Sequence, residues 1–244
     1  MSSYLKTLQQ LAAGCPRLED QAAEIAEITG LLAAKKLPEK APQPLGLLPD
    51  EREELAAQFG ADRIAKADSL LNNFRSYLSR RFGIWSLPNL TTAALIKDYF
   101  HADRVCEVMA GNGCWSRALQ EAGCQVTATD SLEWAKTSET GAQAFVDVEQ
   151  MTAEQAVAEL GPQSDLLLCA WAPNFNESDC GLVAAWRKLD KRPPLIFVGE
   201  RDGATNSPRF WRSIPLQNSR GLRQINASFA SFDFIDEKIF QVQD

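Results

Sequence analysis

The stretch CEVMAGNGCWSRALQEAGCQVTATD, residues 106–130, decides the fold. It begins as a strand, turns on Gly111 and Gly113, continues as a helix and closes with a second strand ending in Asp130. Glycines at a strand end let a ligand approach the backbone, because no Cβ stands in the way. In an open α/β sheet, ligands lie beyond the carboxyl ends of the strands, near the reversal of strand order. The turn is therefore a candidate binding element for a dinucleotide or a sulfonium cofactor, or a plain connection that holds nothing.

Downstream the texture is alternating. Strand candidates RVCEVMA, QVTAT, AFV, DLLLCA and PLIFVG are separated for the most part by the helical patterns WSRALQEAG, TAEQAVAEL and DCGLVAAWRKL. Alternation of this kind implies parallel strands joined by helical crossovers. The tail differs: LRQINAS and FDFIDEKIFQVQ follow without an obvious long helix, and the last pair is predicted as an antiparallel hairpin at the sheet edge.

Upstream, residues 1–99 are predicted helical. Tyr4, Leu5, Leu8 and Leu11 share a face, and one long helix is expected over ADRIAKADSLLNNFRSYLSRRFG. Four prolines between Leu37 and Asp50 make residues 37–49 an extended connection. Asp50 and Glu53 suggest a capping box for the helix that follows. The expected division is a helical region over 1–99 and an α/β core over 100–244.

Composition narrows the classes. The 244 residues carry a net charge of −7, and residues 101–244 hold 13 Lys+Arg against 20 Asp+Glu. An acidic core is a poor match to a phosphate backbone, so nucleic acid is disfavoured as partner. The five arginines between Arg201 and Arg223 are the one local exception. No apolar run is long enough for a transmembrane helix, and the first residues lack a signal-peptide pattern. Six scattered cysteines without a C-x-x-C pair, and the single His101, argue against a Cys/His zinc site. A reducing cytoplasm is the expected location.

For a nicotinamide fingerprint the residue three after Gly113 should be Gly or Ala; it is Ser116. Glu107, inside the first strand, is also awkward there, since a buried carboxylate needs a partner. By contrast VCEVMAGNG, residues 105–113, resembles the first motif of class I S-adenosylmethionine-dependent methyltransferases, an acidic residue followed by x-G-x-G-x-G. Glu107 matches the acidic position, Gly111 and Gly113 the second and third glycines, and Met109 replaces the first.

The resemblance implies a Rossmann-like, mostly parallel seven-stranded sheet with an antiparallel C-terminal edge hairpin, and S-adenosyl-L-methionine as cofactor. It implies that Glu107 orders the loop and helps to hold the amino end of the methionine moiety. Asp130 would accept from the ribose hydroxyls, for which two carboxylate oxygens suit a vicinal diol. Asp147 would accept from the adenine amino group and Val148 would offer its amide, while Ala110, Ser131 and Trp115 would also border the cofactor. The segments RRFGIWSLPNL and VGERDGATNSPRFW resemble a subgroup of these enzymes with an aromatic-Gly-x-x-Pro segment before the motif and a GE-then-G-x-T pattern after the fifth strand.

Methyl transfer is an in-line displacement, so the protein must supply approach, alignment and a place for the nucleophile's proton. The fourth-strand end, CAWAPN, resembles only in part the Asn/Asp-Pro-Pro-aromatic box of amino-group methyltransferases. Trp171 is a candidate substrate wall and Asn174 a candidate acceptor contact; core packing and helix capping are the plain alternatives. Glu200 is expected to point into the crevice as a cation or proton acceptor, or else to be a solvated loop carboxylate. Trp85 is a candidate lid or a packing residue. His101 precedes the first strand, at the wrong end for a base.

The function expected is methyl transfer to a small-molecule or protein acceptor, with the helical region as a cap. A noncatalytic S-adenosylmethionine-binding protein acting through its helical region is the alternative. A nicotinamide-dependent oxidoreductase fits less well. No metal and no membrane partner are expected, and the oligomeric state is left open.

Overall fold

A computed structural model of the chain describes residues 2–134 and 144–244. Helices come first: α1 (Ser3–Ala12), α2 (Pro16–Ala33), α3 (Pro49–Phe59), α4 (Ala61–Asn72), α5 (Phe74–Phe82) and α6 (Leu90–Phe100). The alternating part holds β1 (Arg104–Val108), α7 (Cys114–Glu121), β2 (Gln125–Asp130), β3 (Val148–Gln150), α8 (Ala153–Leu160), β4 (Leu166–Ala170), α9 (Ser178–Trp186), β5 (Leu195–Glu200) and α10 (Pro208–Ser213). The tail adds β6 (Leu216–Gln217), α11 (Arg220–Ser228) and β7 (Glu237–Val242).

The strands form one sheet in the order β3-β2-β1-β4-β5-β7-β6. The first five are parallel, while β7 runs antiparallel to β5 and to β6. Strand order reverses between β1 and β4, which puts the crevice at their carboxyl ends. Alternate residues of the central strands face opposite layers, as the two-residue period requires. Val105, Leu166, Leu168, Ile196 and Val198 join the core under α6, α7 and α11. Cys106, Val108, Leu167, Cys169 and Phe197 join the one under α8, α9 and α10.

The N-terminal helices extend the first of these cores without a break, through Leu8, Ile25, Ile64 and Phe74. The proline-rich connection is extended, as predicted, and it is tied down. Gln21 donates to the Gly46 carbonyl (3.2 Å) and accepts from its N–H (2.8 Å), and the Leu45 N–H donates to the Phe232 carbonyl (2.7 Å).

Several sequence expectations need correction. The long helix breaks at Asn73, where the side-chain amides of Asn72 and Asn73 take the carbonyls of Asp68 and Ser69. Such local bonds compete with helix continuation. The helix after the prolines begins at Pro49, and Glu51, not Glu53, accepts the N–H of its cap residue Leu48 (2.9 Å). The third strand is Val148–Gln150 and not AFV: Phe145 is buried in the core with the N-terminal helices, and its N–H donates to the Asn112 carbonyl (2.7 Å). Finally, LRQINAS is helical. Ser219 caps it by accepting from the Leu222 N–H (3.0 Å), and Leu222 and Ile225 bury one face. The edge hairpin is therefore β6 with β7, around that helix.

Candidate functional site

A cavity of about 1000 Å³ opens at the carboxyl ends of β1, β2 and β4. That is the upper end of the size range for small-ligand sites. The glycine turn, the β2 end, the β4 end and residues from the stretch 79–86 line it.

Glu107 is 1% exposed and lines the cavity. Its Oε2 accepts the Ser116 N–H (2.7 Å) and the Ser116 hydroxyl. Ser116 is in the first turn of α7, where unpaired N–H groups and the helix dipole favour a negative charge. The residue that breaks the nicotinamide pattern is thus the partner the buried glutamate needed. Burial pushes the Glu107 carboxyl up to about 8, against the Ser116 bonds that lower it.

Asp130 ends β2 one strand away. Its Oδ2 accepts the Gly111 N–H (2.8 Å), and its Oδ1 accepts from the Leu132 N–H (2.7 Å) and the Trp134 indole (3.2 Å). A carboxylate offers about four acceptor sites, so capacity remains beside the turn. A Cβ on Gly111 would enter open space, whereas one on Gly113 would lie 2.5 Å from Val146 Cγ2. Gly111 thus leaves room for a ligand, and Gly113 is required by packing and by its φ of +72°.

Met109, where the first glycine of the motif would stand, takes φ 55°. The backbone keeps the glycine-favoured shape although the residue departs from the pattern. Trp171, at the β4 end, is also left-handed, at φ 56°. Strained residues of this kind collect at functional sites.

Trp171 lines the cavity, and its indole N–H donates to Glu237 Oε1 (2.8 Å). Glu237 is buried in β7, where Oε2 meets Arg75 Nη1 at 2.8 Å. Arg75 also donates to both oxygens of Asp233 (2.7 and 3.0 Å) and to the Trp85 carbonyl (2.6 Å). Ser86 accepts from the Trp115 indole (2.8 Å). Burial pushes the Glu237 carboxyl up, and Arg75, Ser86 and Trp171 oppose that push. Through Arg75 and Trp171 this buried carboxylate connects α5 with the β4 end, and Ser86 ties the neighbouring segment to the glycine-turn helix.

Of the residues singled out from sequence, Glu107, Ala110, Gly111, Trp115, Asp130, Ser131, Trp171, Asn174 and Trp85 border this cavity. Asp147 and Val148 do not. They lie at the start of β3, where Val148 pairs with Ala128, while the strand's other end leads to Met151 and Thr152 on the cavity wall. Glu200 is outside the lining too. Its carboxylate accepts the N–H groups of Ala204 (2.8 Å) and Asp236 (3.0 Å) and braces the loop after β5. Within that loop Thr205 Oγ1 accepts the Glu200 N–H (2.9 Å), so the GE-then-G-x-T pattern is a self-bonded turn. His101 caps α6 ahead of β1, at the other end of the sheet. Among the arginines after β5, Arg209 pairs with Glu177 (2.6 Å).

Sequence reasoning missed Asn112, Ser86, Arg75 and Glu237. Asn112, between the two glycines, is buried and donates its amide to the Phe82 carbonyl, which ties the turn to the end of α5.

No family model and no curated protein matches the chain. Among solved structures, ribosomal protein L11 methylase from Lactobacillus delbrueckii subsp. bulgaricus is 15% identical, with 63% of this chain and 76% of that one covered, at TM-score 0.38. Human N-acetylserotonin methyltransferase in complex with SAM is 10% identical, with 96% and 71% covered, at TM-score 0.41. A mutant of MtNAS in complex with S-adenosylmethionine is 11% identical, with 99% and 98% covered, at TM-score 0.41. These likenesses are low, and the fold rests on the strand order of the chain itself. It is a Rossmann-like, mostly parallel seven-stranded sheet with an antiparallel edge. Within it the glycine turn, Glu107 and Asp130 occupy the first two strand ends, and Trp171 the fourth.

Proposed function

We propose that the chain is an S-adenosylmethionine-dependent methyltransferase whose cofactor lies against the glycine turn. One observation carries the reading. Two carboxylates on adjacent strand ends, each bonded to the backbone of the turn or its helix, flank the open space over Gly111 inside one cavity. The first, ionised by the ligand's positive charge, suits an ammonium group and the second a vicinal diol. When bound, the cofactor supplies a methyl group on an electrophilic sulfonium.

The residues then divide the work. Glu107 holds the amino end of the methionine portion, and Trp115 walls it. Asp130 accepts from the ribose, beside Ala110 and Ser131. Met151 and Thr152, which line the cavity after β3, take the adenine end. Trp171 and Asn174 face the acceptor, and residues 79–86 of the helical region cover the site and keep water from it. The acceptor is a small molecule or a protein side chain. Six cysteines, all free, fit a reducing compartment such as the cytoplasm.

Calorimetric titration with S-adenosylmethionine and S-adenosylhomocysteine tests this. Binding of either is expected, and Asp130→Ala should weaken it by about 1.5–3 kcal/mol, the range for hydrogen bonds to a charged group. No binding of either to folded protein would overturn the cofactor assignment.

A further inference from the structure

We propose that the β4 side of the cavity is an acceptor subsite for a neutral, planar aromatic molecule, which stacks on the open face of Trp85. This rests on the methyltransferase reading above and names the class of its acceptor.

The wall is built as a column. Phe232 lies 4.6 Å from the Arg75 guanidinium, which lies 5.1 Å from the Trp171 ring. Trp85 stacks on Trp171 with centroids 5.5 Å apart and planes inclined by 23°. The column ends there. Trp85 is held by this stacking and by its carbonyl's bond to Arg75, yet it remains 55% exposed and borders the cavity. With one ring face against Trp171, the other is the surface left to a ligand, and offset stacking is the geometry aromatic rings prefer. Phe175, 85% exposed, borders the same cavity and adds a second apolar surface.

The run at the β4 end is mostly apolar. Ala170, Ala172, Pro173 and Phe175 bring no polar side chain, and the Trp171 N–H is already held by Glu237. A cation would gain from the Trp85 face through the ring quadrupole, but Arg80 of the same segment also lines the cavity and repels it. Of the carboxylates that line the cavity, Glu107 and Asp130 end β1 and β2 and Glu133 follows β2, on the side assigned to the sulfonium and ammonium of the cofactor. Glu154, in α8, instead packs its carboxylate against Gly181 of α9. Asn174 is the one polar side chain in the run 170–175, and its amide can orient a ring hydroxyl.

The test loads the full chain with S-adenosylhomocysteine and measures 2-naphthol binding by equilibrium dialysis, with tetramethylammonium as the cationic counterpart. Binding of 2-naphthol is expected, weakened about tenfold in Trp85→Ala and largely kept in Trp85→Phe, the size of one aromatic pair. Tetramethylammonium should not compete. Absence of naphthol binding, equal binding to the alanine variant, or displacement by tetramethylammonium overturns the subsite and leaves the cofactor assignment standing. Should S-adenosylhomocysteine itself fail to bind, the cofactor reading falls, and the same naphthol series on the free protein still decides the subsite.

Discussion

The two sides of the cavity are assembled over different distances along the chain. On the cofactor side, Glu107 bonds to Ser116 nine residues on, and Asp130 to Gly111 nineteen residues back. On the cap side, Arg75 reaches Asp233 and Glu237 across 158 and 162 positions, and Glu237 reaches Trp171 across 66. Both sides hold buried carboxylates, but they neutralise them differently. Glu107 leans on a helix N-terminus and a hydroxyl; Glu237 and Asp233 share one guanidinium. The first arrangement is carried by a contiguous motif. The second exists only when the helical region is docked on the sheet, so it makes the helical region and the core depend on each other.

The sharpest way to break that comparison is Arg75→Met. Removing the cation strands two buried carboxylates, and such losses cost about 3–5 kcal/mol. Denaturant unfolding should show a destabilisation of that order, with Leu8, Ile25 and their neighbours losing their seat on the core. The deficit should be smaller at pH 5 than at pH 8. Burial already raises the Glu237 carboxyl above its unfolded value, so the folded state holds the proton more tightly and its stability falls as pH rises through that window. A protonated Glu237 has less need of the guanidinium. A loss under about 1 kcal/mol, independent of pH, would show that the buried cluster does not hold the cap.

On the cofactor side the matching change is Glu107→Gln, and a smaller effect is expected. With its carboxyl at about 8, folded Glu107 binds a proton that the unfolded chain releases near 4.5. Stability therefore declines as pH rises from about 4.5 to about 8. The glutamine accepts the same Ser116 N–H without titrating, so the variant should lose at least about 1 kcal/mol of that decline. Unfolding curves at pH 5, 6.5 and 8 for both proteins decide the matter. Parallel curves would mean that Glu107 ionises as an ordinary carboxylate in the fold.

The difference in contact range also explains what could be seen in the sequence. The alternating core, its parallel strands and the carboxylates at Glu107 and Asp130 were legible because strand, turn, helix and strand follow one another within 25 residues. Ser116 carried a visible signal, read there only as a departure from another motif. The third strand was misplaced because three residues are too few to show a two-residue period, and Phe145 supplies apolar character to a different layer. The tail helix had its cap in Ser219 and a buried pair in Leu222 and Ile225, but nine residues with a single apolar face did not stand out as a long helix. Arg75 and Glu237 had no signal at all. A charged residue in a helical stretch or near the chain end suggests solvent, and only the docking of distant segments makes these two a buried pair.

The finest test concerns Met109, where the sequence departs from the motif and the backbone does not. At φ 55° a residue with a Cβ carries about 1–2 kcal/mol of left-handed strain. Met109→Gly removes that strain. It also removes a half-buried side chain packed against the α8–α9 core, with its sulfur 4.0 Å from the Ser178 hydroxyl, and it gives the unfolded chain more freedom. These terms oppose each other and are of similar size, so the net change in unfolding free energy should stay within about 1 kcal/mol. S-adenosylhomocysteine affinity should hold or rise, since Gly111 and the bonds from Asp130 and Ser116 are untouched. A marked fall in affinity with stability unchanged would show instead that the methionine side chain, not the loop's shape, is what the ligand meets. The cofactor side would then share the specificity that its local build has here been taken to lack.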